Sequence, residues 1–198
     1  MTFEEHSPPE TPPIPRWQKI WRSQKDNLLT LAIALCLALL IRGYVAESRY
    51  IPSASMEPTL LPGDRIVVEK LSYRFRPPQR GDVVVFHTPE ILQSLGYAPE
   101  QAFIKRVIAT AGQTVGIRQG QVFVDGEPLI EAYIAEQPQY QLDPVVVPPG
   151  MLFVMGDNRN NSNDSHIWGF LPETKLIGRA NLKFWPIGHI DWLQNPFA

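Results

Sequence analysis

The sequence predicts a mainly β domain preceded by one N-terminal helix long enough to cross a membrane. Three observations carry that expectation. Leu28 to Ile41 is a largely apolar run of 14 residues without a charge. From Tyr50 onward, short runs rich in Val, Ile and Phe alternate with turn dipeptides. The chain has 20 prolines in 198 residues, about twice the usual share, which disfavours further long helices.

Residues 1–27 contain Pro8, Pro9, Pro12, Pro13 and Pro15, mixed charge and no apolar periodicity. They read as a disordered tail, with amphipathic character near Trp17 to Trp21. The run that follows is short of the roughly 20 residues of a spanning helix. Letting Arg42 snorkel extends it to Ala46, giving a span over 28–46. It lacks the polar stripe of a surface helix. As a cleaved export signal it has a long leading region and a poor exit, with bulky Tyr44 two positions before Ala46. An uncleaved signal anchor fits best. Arg16, Lys19, Arg22 and Lys25 precede it, against Arg42 and Arg49 behind. The positive-inside rule therefore puts the tail in the cytoplasm and residues 47–198 across the membrane.

In that remainder the predicted strands are Arg65–Lys70, Asp82–His87, Ala102–Thr110, Thr114–Arg118, Gln121–Val124, Met151–Met155 and Leu176–Phe184. Gln119-Gly120 and Asp125-Gly126 predict tight hairpin turns. A net charge of −2 gives no electrostatic case for nucleic acid. The single Cys36 excludes an internal disulfide and a cysteine-built zinc site.

Three segments put reactive residue types in unusual company. In Ile51-Pro52-Ser53-Ala54-Ser55-Met56-Glu57-Pro58-Thr59-Leu60, two serines two apart in extended chain face the same side. One can attack a carbonyl while the other donates to it, although a Ser/Pro loop reads the same way. In Phe103-Ile104-Lys105-Arg106-Val107-Ile108, strand alternation sets Lys105 between Phe103 and Val107. Desolvation there lowers an amine's pKa towards that of a usable base, whereas an edge lysine that snorkels is the plainer reading. Gly156 to His166 contains no apolar residue. It is either an exposed polar loop or a hydrogen-bond network supporting a site.

Taken together, these segments resemble the bacterial type I signal peptidases, in forms similar to those of cyanobacteria and plastids. The resemblance runs through Pro52–Leu60, Pro62–Asp64, Arg80–Phe86, Ile104–Val107 and Gly156–Ser165, in that order behind the anchor. It implies a β fold shared with self-cleaving repressors and a Ser/Lys serine endopeptidase that needs no metal or cofactor. Its partners would be preprotein signal peptides and the lipid bilayer, cut after Ala-x-Ala-like sites at the plasma or thylakoid membrane. Ser55 takes the nucleophile position and Lys105 the general base. Ser53 supplies an oxyanion donor, and Ser162 hydrogen-bonds the lysine. Asp157 and Asp164 hold the surrounding loop. Met56, Leu60, Phe103 and Ile104 line the substrate pockets, and a minimal second subdomain covers 113–149.

Two positions depart from the family pattern. Thr110-Ala111-Gly112-Gln113 replaces a Leu-Pro-Gly-acid turn, and His166 stands where relatives often carry Arg. A Ser/His/Asp triad using His166, a self-cleaving repressor and a non-catalytic binding domain are the competing functions. The anchor and the lack of a DNA-binding helix pair argue against the repressor.

Overall fold

The structure is a computed structural model describing residues 16–197. The part of the expected tail before Arg16 lies outside the described residues. From Arg16 the chain is helical rather than disordered: α1 runs Arg16–Leu40. No proline or glycine interrupts residues 16–42, and extending an existing helix is far easier than nucleating one. Within it and the π-helical turn that follows (Ile41–Val45), Asn27–Val45 is a 19-residue span of mean hydropathy 2.3. Its Leu and Ile side chains are exposed.

Arg42–Ala198 forms a separate compact unit. Its strands are β1 (Ala46–Tyr50), β2 (Arg65–Glu69), β3 (Val83–His87), β4 (Ala102–Thr110), β5 (Thr114–Arg118) and β6 (Gln121–Val124). They continue with β7 (Glu127–Pro128), β8 (Leu142–Val146), β9 (Met151–Met155), β10 (Leu171–Pro172), β11 (Leu176–Trp185) and β12 (Asp191–Trp192). Short helices α2 (Ser72–Phe75), α3 (Glu90–Ser94) and α4 (Ser165–Trp168) lie between them. Every pairing is antiparallel. The large sheet has the order β1-β2-β11-β3-β4-β9-β10 with β12 on β11, and the small one β7-β6-β5-β8.

All seven strands expected from pattern are present, with ends within one residue. The two hairpin turns also form, Gln119 and Gly120 at φ 51 and 76 and Asp125 and Gly126 at φ 54 and 85. Both central residues are left-handed, as the twist of a two-residue hairpin demands. The unanticipated strands are short or polar. β8 carries Asp143 and Pro144, tolerable because it pairs only with β5 and so lies at an edge.

The apolar core falls into three clusters, and β4 contributes to each. Ile108 packs under the small sheet with Val115, Val122 and Phe153. Ile104 packs against Met56, Leu60 and Val85. Val107 joins Phe86, Leu92 and Trp168. A strand with core on both sides is rigid, and it is the strand that carries Lys105.

Candidate active site

Ser55 sits in a one-turn 3₁₀ helix, Ala54–Met56, preceded by the extended Ser53. The extended geometry expected for both serines therefore ends at Ser53. The turn forms because the Glu57 N–H donates to Ala54 O at 3.1 Å and Leu60 N–H to Met56 O at 2.9 Å. Met56 and Leu60 then anchor it, each fully buried among Ile51, Ile66 and Val83. Two of the four residues expected to line substrate pockets, Met56 and Leu60, are thus core residues. The hydroxyls still meet, with Ser53 Oγ 3.4 Å from Ser55 Oγ.

Lys105 reaches this turn from β4, where it pairs with Val84 of β3. Its Nζ donates to Ser55 Oγ at 2.8 Å and to Ile104 O at 2.9 Å. The residue is 3% exposed, and among the described residues no carboxylate pairs with the amine. Burial pushes its pKa down from the ordinary 10.5 to about 8, while the more distant charges of Asp164 and Asp157 pull the other way. A neutral amine within hydrogen-bond reach of a hydroxyl can accept its proton.

The polar segment also meets the serine turn. Asn158 donates from its side chain to Ala54 O at 3.1 Å and from its backbone to Ser55 O at 3.2 Å. This close approach requires a glycine, since a Cβ on Gly156 would collide with Ser55 O and Ser162 Oγ. Asp157, fully buried, accepts from Arg106 Nε at 2.8 Å, Arg106 Nη2 at 2.6 Å and Thr59 Oγ1 at 2.5 Å. Asp164, also fully buried, accepts from Gly156 N–H at 2.8 Å and from His166 N–H at 3.2 Å.

Ser162 differs from expectation. Its Oγ is buried without a hydrogen-bond partner, because the lysine's bonds go to Ser55 Oγ and Ile104 O while Ser162 packs on Gly156. His166 is held away from Ser55: Nδ1 lies 2.7 Å from Asp164 Oδ1 and the ring stacks on Tyr140 at 4.0 Å. Among the described residues no histidine hydrogen-bonds Ser55, which removes the geometry a triad needs. At the other departure, Gln113 Oε1 accepts from Thr110 N–H at 3.0 Å, and its Nε2 donates to Asp125 at 2.9 Å. The amide side chain thus links Thr110 to Asp125 at this turn.

A groove of about 370 Å³ opens beside the pair. Ser53, Ser55, Phe103, Ile104 and Lys105 line it, joined by Tyr97, Gln101, Asn161 and Asn163. Tyr97 was not foreseeable from pattern: it follows α3 in the β3–β4 connection and reaches the groove by packing edge-on against Phe103 at 5.5 Å. Arg106 and Arg159 were missed too. They are 2% and 1% exposed, and charged residues rarely announce burial in a sequence. Among the described residues no cluster of His, Cys, Asp or Glu could hold a metal ion.

A serine hydroxyl bound by a desolvated amine, beside an open groove on a β scaffold, has the makings of a serine hydrolase site that uses lysine instead of histidine. Residues 24–185 match the family model described as "Signal peptidase, peptidase S26", and the chain belongs to that family of serine peptidases. It is 62% identical over 166 residues to a probable signal peptidase I-1 of Synechocystis sp., covering 84% of this chain and 85% of that one. It is 46% identical over 200 residues to the signal peptidase I of Leptolyngbya laminosa, covering 99% and 98%. It is also 44% identical over 156 residues to the chloroplastic thylakoidal processing peptidase 1 of Arabidopsis thaliana, covering 77% of this chain and 46% of that one.

Proposed function

We propose that this signal peptidase works as a single-pass membrane endopeptidase that cuts preproteins after Ala-x-Ala-like sites, with Ser55 as nucleophile and Lys105 as general base. The observation that carries the reading is the 2.8 Å bond between Ser55 Oγ and an amine that is 3% exposed. Neutral Lys105 takes the Ser55 proton as Oγ attacks the scissile carbonyl. The resulting oxyanion is held by the Ser55 N–H and the Ser53 hydroxyl. Protonated Lys105 then gives its proton to the leaving amine as the C–N bond breaks, leaving an acyl ester on Ser55. Lys105 next takes a proton from water, whose hydroxide attacks the ester, and returns it to Ser55 Oγ as the new C-terminus departs. No metal or cofactor enters these steps.

The groove walls at Phe103 and Ile104 favour small side chains before the cut by shape. The 19-residue span Asn27–Val45 is about 28 Å long as a helix, close to a bilayer's hydrocarbon thickness. Its flanking charges favour an N-terminus in the cytoplasm and a catalytic domain on the trans side of a plasma or thylakoid membrane. Signal peptides and lipid are the partners, and nucleic acid is not.

The test is cleavage of an Ala-x-Ala preprotein by the wild type, Ser55→Ala and Lys105→Ala. Loss of at least about 10⁴-fold in each variant supports the dyad, and mature protein released by either one rejects it. Protease added from the cytoplasmic side should leave the β domain intact, and its digestion would overturn the topology.

A further inference from the structure

The connection between β7 and β8 projects two side chains into the frame behind the dyad. Glu131 forms a two-pronged pair with Arg159, Oε2 at 2.5 Å from Nη1 and Oε1 at 2.6 Å from Nη2. Tyr133 donates its hydroxyl to the same Glu131 Oε1 at 2.6 Å. The Tyr133 ring lies under the Arg106 guanidinium, 4.1 Å from Cζ to ring centroid, with Arg159 Cζ at 5.9 Å. One aromatic ring thus meets two buried cations, an arrangement stabilised by the ring quadrupole where water is excluded. Burial raises the phenol's pKa, so the ring stays a neutral donor.

Both arginines lead to the reacting groups within one or two residues. Arg106 follows Lys105 on β4 and grips Asp157 with two nitrogens. Arg159 Nε donates to Gly156 O at 3.1 Å, and Gly156 is the residue pressed against Ser55 O. Its neighbour Asn158 holds the Ala54 and Ser55 carbonyls. The bracket therefore reaches the neighbours of both dyad residues without touching either residue itself.

We infer that Glu131 and Tyr133 are positioning residues for the peptidase reaction: they clamp Arg106 and Arg159 and so fix the register between Lys105 on β4 and the Ser55 turn. This inference rests on the dyad reading above. It also gives the small sheet a task, since its connection supplies the clamp. In Tyr133→Leu the guanidinium of Arg106 loses its platform and offsets Asp157 less well. Asp157 and Asp164 are the carboxylates whose charges favour the Lys105 ammonium. A less compensated Asp157 keeps Lys105 protonated to higher pH, so the acid limb of the rate profile moves upward.

The experiment measures kcat, KM and the pH profile of preprotein cleavage for Tyr133→Leu, Glu131→Gln, Tyr133→Phe and Ser55→Ala in the full chain. Val122→Ala, which hollows the core under the small sheet, serves as a stability-matched control. Tyr133→Leu and Glu131→Gln should lose at least about ten-fold in kcat with KM within about two-fold, an effect on the reacting geometry rather than on binding. Tyr133→Leu should also shift the acid limb upward by about half a pH unit, and Tyr133→Phe, which keeps the ring, should recover most of the loss. If Tyr133→Leu loses no more kcat than Val122→Ala, or its acid limb stays in place, the clamp is refuted while an inactive Ser55→Ala still upholds the dyad. If Ser55→Ala retains cleavage, the dyad reading falls and the clamp with it.

Discussion

Lys105 and Arg106 are neighbours on β4, equally buried at 3% and 2% exposure, yet the two faces of the strand treat their charges in opposite ways. On one face Lys105 meets a hydroxyl and a backbone carbonyl. On the other Arg106 meets both oxygens of Asp157, the Gly81 carbonyl at 3.0 Å and the Tyr133 ring. Burial without a contacting counter-charge disfavours the ammonium form of Lys105, whereas Asp157 offsets the burial of the Arg106 guanidinium. The difference in contacts arises from partners contributed by distant parts of the chain.

The largest test of this contrast is Arg106→Met, which leaves Asp157 buried without its cation. Unfolding measured in denaturant should show a loss of about 3–5 kcal/mol. A loss below about 1 kcal/mol would mean that the pair braces nothing. Lys105→Met should do the reverse. The unfolded chain holds this proton up to its ordinary pKa of 10.5 and the folded one only to about 8. Folding therefore opposes the charge at neutral pH, and stability rises with pH between those two values. Replacing the amine with an apolar side chain should abolish cleavage yet stabilise the fold at pH 7 by about 3 kcal/mol. A destabilised Lys105→Met would show that the buried amine is no burden. The smallest effect is expected for His166→Ala, which removes one Asp164 contact while the Gly156 N–H bond remains. Its melting curve should report about 1 kcal/mol lost and its kcat should stay within about three-fold, whereas inactivity would restore the triad.

Much of this arrangement is legible in the sequence. Seven strands follow from β-branched runs bounded by turns, and the paired left-handed turns follow from Gln119-Gly120 and Asp125-Gly126. Ser55, Ser53 and Lys105 were marked by order and spacing, and the structure brings them together. What stayed hidden depends on contacts distant in sequence. Met56 and Leu60 read as pocket residues because their motif adjoins Ser55, but a single 3₁₀ turn sends them into the core. Ser162 is one of several polar residues in a row, and periodicity cannot assign partners within such a loop. Glu131 and Tyr133 look like surface residues in an unremarkable connection. Only the fold reveals that they meet arginines 25 or more positions away. The helical start at Arg16 was obscured by the prolines just before it.

The central claim is that Lys105 works as a neutral amine, and the pH dependence of kcat/KM for an Ala-x-Ala preprotein tests it most directly. The account predicts activity that rises with pH through a single acid limb near the Lys105 value of about 8 and that disappears in Lys105→Ala. An acid limb near 6.5, the ordinary range of histidine, that persists in Lys105→Ala would contradict it.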